Sequence, residues 1–440
     1  MEQQHTRVER ITAQIKNNPI VAALIILGTL VIALSTFTDA AKKLFSVLPK
    51  QSPEAARTAL GQMSLQYTPA AFIRSAQTGD LTAVQLFLTA GMAPNATDDE
   101  GNTALMSAAY KGHTKIVAAL VKAGADVKQK RGRKTALFSA ASGGHIDSLR
   151  ILLDKGTDAE AITDAFVEAV RMRHHDVIRT LVNKGAAVKQ VGAIAMMIIA
   201  GWGAWGDEEV GQTVTLLLEL GADPNGQDHE GWTALLAAAK SGYPSTVRLL
   251  LDRGAEVNAK CACPGVLDGG WTALMLAVHG RRSEVVETLL GKGADVNQRN
   301  NRGETALILA AHEGDLRTFQ TVLARGADVK AESHNGRTAL MEIASGKRWP
   351  DGVVVDYPDA VRALLAKGAE VNKQDVHGRT PLMLAAQSGS TIVVRALLQG
   401  GAHVNERDVH GNTALRFART NLQDQRKTEM VQLLEEAGAK

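Results

Sequence analysis

The chain has 440 residues, of which 45% are hydrophobic and only 4% are aromatic, and it contains 41 glycines. This composition excludes global disorder, argues against a β-sandwich and favours closely stacked helices joined by tight turns. The 49 basic and 46 acidic residues are too balanced to indicate a nucleic-acid-binding protein. With only two cysteines, Cys261 and Cys263, a disulfide scaffold is excluded, and because a bridge across one residue would be strained we expect free thiols.

The first apolar segment predicts a membrane anchor. No charged residue occurs between Asn17 and Thr38. A helix over residues 20–37 would be about 27 Å long, close to the roughly 30 Å of a hydrocarbon core. We therefore predict a tail over 1–19 and a single transmembrane helix over 20–38. A cleaved signal peptide and a buried soluble helix are the alternatives, but the apolar run is long for a signal peptide.

The charges that flank this segment bear on its orientation. Lys42 and Lys43 follow it closely, whereas Lys16 is the nearest cation before it. Cations are enriched on the cytoplasmic side of a membrane span, so this difference favours a cytoplasmic location for the rest of the chain.

Residues 39–68 are predicted to be a linker that contains a short helix. Ser52 is a candidate helix N-cap with Pro53 at the first helical position, and Thr68-Pro69 repeats this arrangement. The segment is thus a spacer, partly helical, that leads into a domain over 69–440.

Two sequence markers recur through residues 69–440. Thr-Ala-Leu or Thr-Pro-Leu recurs eight times, and four of the seven successive spacings are 32 or 33 residues. A glycine that opens Gly-Ala-Asp-Val-Asn-like strings recurs in phase and adds the units that lack the first marker, which gives about eleven units. The first marker begins at Thr103, Thr135, Thr233, Thr272, Thr305, Thr338, Thr380 and Thr413, and the glycines are Gly91, Gly124, Gly156, Gly185, Gly221, Gly254, Gly293, Gly326, Gly368, Gly401 and Gly438.

One unit shows the structure that its residues favour. Thr380 can cap a short helix, Pro381 suits its first turn, and Gly389 ends it. A second apolar helix follows and ends at Gly400-Gly401, where glycine permits the left-handed conformation. The next residues form an extended finger and a turn. Each unit is therefore predicted to be a helix–turn–helix with a short β-hairpin finger.

This pattern resembles the ankyrin repeat family, which has a 33-residue period and a Thr-Pro-Leu-His-x-Ala signature. The resemblance covers most of the chain and implies an all-α solenoid preceded by the transmembrane helix. Two features depart from the family pattern. The position after the leucine, usually His in the family, is mostly apolar here, and the units that end at Gly185 and Gly221 lack the Thr-x-Leu start.

No catalytic motif, cofactor-binding loop or small-molecule site is evident. Gly201-Trp202-Gly203-Ala204-Trp205-Gly206 has glycines but lacks the Lys-Ser/Thr of a phosphate-binding loop. Cys261, Cys263 and His229 form a metal-binding pattern that is weak without a second cysteine pair. We expect no catalytic residues, no metal and no cofactor.

The ankyrin resemblance implies that partners bind the fingers and first helices, and that the residue before the threonine points outward. Trp232 and Trp271 occupy that position in adjacent units, and Trp is a frequent interface anchor. We predict a protein-binding surface centred on these two tryptophans; the alternative is that both rings merely lie across neighbouring fingers. The candidate cations around it are Arg302, Arg337, Arg379 and, in a separate basic finger over 128–134, Lys134.

The sequence thus predicts a membrane-anchored, noncatalytic scaffold or adaptor that binds one or more proteins. The alternative function is that of a regulatory subunit of a membrane complex, acting partly through its transmembrane helix. The basic finger is expected to be solvated, with an acidic partner or lipid headgroups as alternatives. Insertions between helices after Ser345 and around Trp202 and Trp205 carry further aromatic residues, either as a second contact surface or as covers for helix ends.

Overall fold

A computed structural model describes residues 52–202, 205–262, 269–348, 354–355, 357–421 and 424–440. The predicted tail, the predicted transmembrane helix over 20–38 and most of the predicted linker lie outside these residues. Among the described residues, no helix is both long and apolar enough to cross a membrane.

The described residues form 23 α-helices and four short strands, numbered here in chain order. After a first helix, α1, the helices follow one another as pairs, most of them joined by short turns. The helices are α1 (Pro53–Gln62), α2 (Pro69–Thr78), α3 (Leu81–Thr89), α4 (Ala104–Lys111), α5 (Thr114–Lys122), α6 (Ala136–Gly143), α7 (Ile146–Asp154), α8 (Ala159–Met172), α9 (His175–Asn183), α10 (Val188–Trp202), α11 (Asp207–Glu219), α12 (Ala234–Ser241), α13 (Pro244–Asp252), α14 (Ala273–His279), α15 (Ser283–Gly291), α16 (Ala306–Glu313), α17 (Leu316–Ala324), α18 (Ala339–Ser345), α19 (Pro358–Ala366), α20 (Pro381–Ser388), α21 (Thr391–Gln399), α22 (Ala414–Asn421) and α23 (Asp424–Glu436).

Where a recurring threonine is present, it begins the first helix of its pair, as the sequence predicted. The Thr380 hydroxyl oxygen accepts a hydrogen bond from the Met383 amide at 3.3 Å, and Thr135 makes the equivalent bond to the Phe138 amide at 3.1 Å. These threonines are buried, so the bond satisfies an amide that would otherwise lack a partner at the helix N-terminus.

Contacts between residues divide the chain into two compact units. The first comprises the described residues up to Ala108 together with Ala118–Asp126. The second comprises Ala109–Val117 together with Val127–Lys440. In the first unit α1 packs on α3, and Ala56 and Leu60 are fully buried. The Phe72 and Phe87 rings lie 5.5 Å apart in its core. The helix predicted within the linker therefore belongs to this core.

In the second unit the helices form two layers. First helices contact the first helices of adjacent pairs, as α10 contacts α12 and α12 contacts α14, and second helices contact second helices less extensively. The first helices carry small residues at their contacts: Ala238 and Ala310 are fully buried. Without large side chains, neighbouring first helices can approach closely.

The strands are short and antiparallel. In the finger before α14, β1 (Lys260–Cys261) pairs with β2 (Trp271–Thr272). In the insertion between α18 and α19, β3 (Lys347–Arg348) pairs with β4 (Val354–Val355). Successive fingers are also joined: the His334 amide donates to the Arg302 carbonyl at 2.8 Å and the Val409 amide to the His377 carbonyl at 3.0 Å.

Candidate functional site

In three pairs the residue before the capping threonine contacts the C-terminal end of the first helix of its own pair. The Trp232 ring is 5.1 Å from Lys240 Nζ, and the Trp271 ring centroid is 5.5 Å from that of His279. Arg337 Nη2 donates to the Ser345 hydroxyl at 3.1 Å. We call these preceding residues, together with the exposed C-terminal ends of the first helices, the first-helix face.

Trp232 is the predicted anchor that the structure leaves accessible. Its side chain is half-buried, and its amide donates to the Asp228 carboxylate at 2.9 Å. Lys240 is exposed and lies over the ring, a cation–π contact. The finger thus fixes the backbone of Trp232 while the side chain remains partly exposed.

Trp271 does not occupy an exposed position, and this part of the prediction is wrong. Its residue is 3% exposed. It lies in β2 directly opposite Cys261, and the edge of the ring packs against His279. Strand pairing in the lengthened finger buries this side chain, so the two tryptophans do not form one exposed aromatic patch.

Arg337 forms a compact ionic network instead of pointing freely into solvent. Its Nε donates to Glu342 Oε1 at 2.7 Å, and the His312 ring nitrogen Nδ1 is 3.1 Å from Glu342 Oε2. Burial raises the pKa of the Glu342 carboxyl, but the hydrogen bonds from His312 and Arg337 more than offset this effect and lower the pKa from 4.5 to about 2. A cavity of about 220 Å³ adjoins this network and is also lined by Tyr357.

Arg379 and Arg302 belong to the fingers. Arg379 Nε and Nη2 contact Asp375 Oδ2 at 2.9 and 2.8 Å, and the Asp375 side chain is fully buried. Arg302 is exposed at a finger tip, and its amide donates to the Asn300 side chain at 2.9 Å. Of the three predicted arginines, the structure therefore leaves Arg302 the most exposed.

The basic finger is partly neutralised by the next helix pair. Lys130 Nζ lies 2.7 Å from Glu160, and Arg133 lies 2.6 Å from Asp164. Lys134 is exposed, and its backbone pairs with Arg131. Burial raises the pKa of the Glu168 carboxyl, but the hydrogen bonds from Arg171 and Ser142 lower it and the net effect is a lowered pKa. The positive charge of Lys134 makes a smaller contribution in the same direction as these hydrogen bonds.

Known proteins share this architecture. The family model described as "Ankyrin repeats (3 copies)" matches residues 72–163, 205–300, 284–375 and 353–440. The chain belongs to the ankyrin repeat family. It is 28% identical over 201 residues to ankyrin repeat protein YahD of Escherichia coli (strain K12), which covers 44% of this chain and 100% of that protein.

Two further proteins are similar to parts of this chain. An L-asparaginase of Dirofilaria immitis is 35% identical over 182 residues, 41% of this chain and 26% of that enzyme. The crystal structure of the ankyrin repeat domain of Bcl-3, a member of the IkappaB protein family, is similar with a TM-score of 0.42 and 28% identity, over 55% of this chain and 97% of that chain.

Six ankyrin fingers are closed by a polar side chain that our sequence reasoning did not select. Asp228 Oδ1 accepts from the Glu230 and Trp232 amides, both at 2.9 Å, and Asp408 Oδ1 accepts from the His410 and Asn412 amides at 2.9 and 2.7 Å. The signal was present, because a residue able to accept such bonds stands three positions before the finger glycine. These residues are Asp98, Asp228, Asn300, Ser333, Asp375 and Asp408.

A second missed set is the asparagine that ends the Gly-Ala-Asp-Val-Asn strings. Asn297 Oδ1 accepts from the Asp328 amide at 2.8 Å, and Asn372 Oδ1 accepts from the His403 amide at 2.7 Å. Each asparagine thereby binds the backbone of the following ankyrin unit. Its role is to hold successive units in register.

The prediction of free thiols is wrong for Cys261, which is disulfide-bonded and 1% exposed. Cys263 lies outside the described residues. His229 is exposed on the preceding finger. Within the described part of the chain, no group of three or more His, Cys, Asp or Glu residues could hold a metal ion.

Proposed function

We propose that this ankyrin protein is a membrane-tethered, noncatalytic scaffold or adaptor that binds a partner protein through its first-helix face. The observation that carries the proposal is Trp232, which is half-buried and lies against the exposed Lys240 on that face. Its family membership supports a binding role, since ankyrin repeats are protein-interaction modules. The proposal includes about eleven units over 69–440, supported by helix pairs at the predicted positions.

Trp232 suits the centre of such an interface for two physical reasons. A tryptophan side chain supplies a large apolar area, and residues of this kind contribute most of the binding free energy at protein interfaces. The hydrogen bond from its amide to Asp228 fixes the backbone before a partner arrives, so little conformational entropy is lost on binding. Arg302, in a finger two units further along, could extend the same surface.

Capture from detergent-solubilised membranes of the source cells, combined with photo-crosslinking from the first-helix face, tests this role. Trp232→Ala should reduce capture of the crosslinked partner at least about tenfold, which corresponds to roughly 1.4 kcal/mol. Ile392→Ala is the matched control, because Ile392 is 52% exposed but lies on a second helix. Equal capture by the native protein and Trp232→Ala would refute the use of this face.

The second part of the proposal is the membrane anchor, which rests on the apolar residues 20–38. The full chain should remain with membranes in alkaline carbonate, whereas a chain beginning at residue 51 should be released. Release of the full chain by carbonate would refute the anchor.

We place the ankyrin array on the cytoplasmic side, on the basis of Lys42 and Lys43. Because Cys261 is buried and disulfide-bonded, labelling requires a new thiol: Val409→Cys, at a 62% exposed finger tip, in a Cys261→Ser, Cys263→Ser background. An impermeant maleimide should label this variant only after the cells are permeabilised. Labelling of intact cells would place the array outside.

A further inference from the structure

Three histidines lie at the turns of two consecutive helix pairs. His145 directly precedes α7, and His174 and His175 lie where α9 begins. All three side chains are half-buried. We call them the turn histidines, and each of their rings contacts a neighbouring helix pair.

The His145 ring packs against glycine backbone. A Cβ atom built on Gly112, in the turn of the preceding pair, would lie 2.4 Å from His145 Nδ1, and one built on Gly143 would lie 2.5 Å from its Cδ2. The ring is also hydrogen-bonded to the Tyr110 backbone at the end of α4. The two glycines thus leave the space in which this imidazole joins the α6–α7 pair to the α4–α5 pair.

His174 and His175 join the α8–α9 pair to the pairs on either side. His174 Nε2 donates to the Ser142 carbonyl of the preceding pair at 3.1 Å. His175 Nε2 lies 3.0 Å from the hydroxyl oxygen of Thr213 in the following pair. Thr213 is fully buried and its hydroxyl donates to the Glu209 carbonyl at 3.2 Å, so it accepts a hydrogen bond from His175 Nε2. Nδ1 is therefore the atom of each of these two rings that takes up a proton.

The surroundings of His145 disfavour a positive charge on its ring. Burial lowers the pKa of His145 and the hydrogen bond to the Tyr110 backbone raises it, while the charges of His174 and His113 lower it further. The net effect is a lowered pKa. The other charged side chains at the helix ends that pack here are Lys111, Lys115, Asp147, Glu168 and Arg171.

The surroundings of His175 have the same effect. Burial lowers its pKa, and the cations Arg173 and Arg179 lower it further against the opposing carboxylate of Asp176. On α11, Glu209 Oε1 lies 3.5 Å from Arg173 Nη1, so this carboxylate is paired. The other charged side chains on the elements that pack here are His174 and, in α11, Asp207, Glu208 and Glu219.

We propose that the α8–α9 pair is an acid-sensitive segment, which separates reversibly from its neighbours when His145 and His175 take up protons. Neutral imidazoles fit these sites, because they pack on glycine backbone and on a buried hydroxyl. Protonation places a charge on a half-buried ring that already faces cations, whereas a ring exposed by separation is solvated. The device is independent of the first-helix face and of the membrane anchor.

Proton linkage gives the direction of the effect. The ordinary imidazole pKa of 6.5 applies to the separated form, and the values of both joined rings are lower. The joined form is therefore most favoured above pH 6.5, and it loses stability as the pH falls from 6.5 through the lower values. One pH unit below 6.5, each ring can shift the equilibrium towards separation by at most about tenfold, so we expect about tenfold for the two rings together.

Hydrogen exchange of the full chain in mild detergent, measured at pH 7.5 and 5.5, tests the proposal. Protection factors, which are corrected for the intrinsic pH dependence of exchange, should fall about tenfold in α8 and α9 relative to α20 and α21, whose pair contains no histidine. The double variant His145→Gln, His175→Gln keeps hydrogen-bonding groups that do not titrate, so this fall should disappear. The matched control is His334→Gln, His410→Gln, at two exposed finger tips, which should retain the full response to acid.

A second measurement needs no substitution. Deuterium exchange at Cε1 of each imidazole, followed by mass spectrometry across a pH series, gives the pKa values of His145 and His175 in the native chain. Both should lie below 6.5, and these values decide the question if the glutamine variant does not fold at pH 7.5. Values at or above 6.5, an equal fall in protection in the glutamine variant, or no fall in α8 and α9 relative to α20 and α21 would overturn the proposal. Neither measurement involves partner capture or carbonate extraction, so the outcome is separate from that of the proposed function.

Discussion

Replacing Glu342 by Gln perturbs the most strongly shifted carboxyl among the described residues. Glu342 lies in α18, and its side chain is 12% exposed. It accepts hydrogen bonds from Arg337 Nε at 2.7 Å and His312 Nδ1 at 3.1 Å. Arg337 is itself only 18% exposed, so removal of the carboxylate leaves a poorly solvated guanidinium charge without its main partner.

The pKa shift of Glu342 gives the size of the expected loss in the free energy of unfolding. An ordinary value of 4.5 that falls to about 2 in the folded protein corresponds to roughly 3 kcal/mol of stability at neutral pH, at about 1.4 kcal/mol per pH unit. Asp375 Oδ2 lies 4.0 Å from Arg337 and offsets part of the loss. Glu342→Gln should therefore lower the free energy of unfolding by about 2–3 kcal/mol at pH 7.

The sign of the pH dependence follows from the depressed pKa. The contribution of Glu342 is fully present above pH 4.5, and it is lost as the pH falls through the folded value of about 2. The difference in unfolding free energy between the native protein and Glu342→Gln should therefore shrink steadily between these two values.

Urea unfolding monitored by hydrogen exchange of α16 and α18 measures this effect locally, which matters because repeat arrays can unfold in pieces. Glu287→Gln is the control: Glu287 is 47% exposed and lies 3.1 Å from Arg317, which is 73% exposed. It should cost less than about 0.5 kcal/mol. Equal protection of α18 in the native protein and Glu342→Gln at pH 7, or a difference that persists unchanged at pH 2, would refute the reasoning.

Three further predictions test how much individual buried and hydrogen-bonded side chains contribute to the free energy of unfolding. Trp271→Ala should lower the free energy of unfolding by about 3–5 kcal/mol in urea titrations, because the side chain is buried, whereas Trp232→Ala should cost less than about 1 kcal/mol; equal costs would contradict the assignment. Asp375→Ala removes the carboxylate that accepts hydrogen bonds from two backbone amides and pairs with an arginine, so it should cost about 3 kcal/mol and speed amide exchange in its finger. Asn297→Ala breaks two hydrogen bonds to the next unit, of which the bond to Gly326 is long at 3.4 Å, and should lower the urea midpoint by the equivalent of about 1 kcal/mol, with no effect expected from Asn301→Ala at the exposed finger tip.

The helical architecture could be predicted because its signals are local and repeated. A threonine that caps a helix acts on an amide three residues away, so Thr135 and Thr380 mark helix starts without any knowledge of tertiary contacts. Glycines at left-handed turns are equally local. The same reasoning explains why the spacing of markers predicted the helix pairs even where insertions interrupt the period.

Side-chain exposure could not be predicted in the same way. Trp232 and Trp271 occupy the same position relative to the capping threonine, yet one is half-buried and the other is 3% exposed. The difference arises from the strand pairing of Trp271 with Cys261, across a finger insertion. Arg337 likewise depends on Glu342 and on His312 in the preceding unit. The solvent exposure of these side chains depends on contacts made outside their own helix pair. The pattern of residues within one unit does not predict those contacts.

One departure from the ankyrin pattern has a structural reason that the period could not reveal. Arg173 falls between the matched family segments 72–163 and 205–300, in a pair of helices that lacks the capping threonine. A glycine at this turn would avoid a left-handed backbone at a non-glycine residue, but it would also remove the guanidinium that stacks on Trp205 and lies 3.5 Å from Glu209. Arg173 therefore joins an irregular pair to the next pair through its side chain, and only the position of the next pair in space shows this.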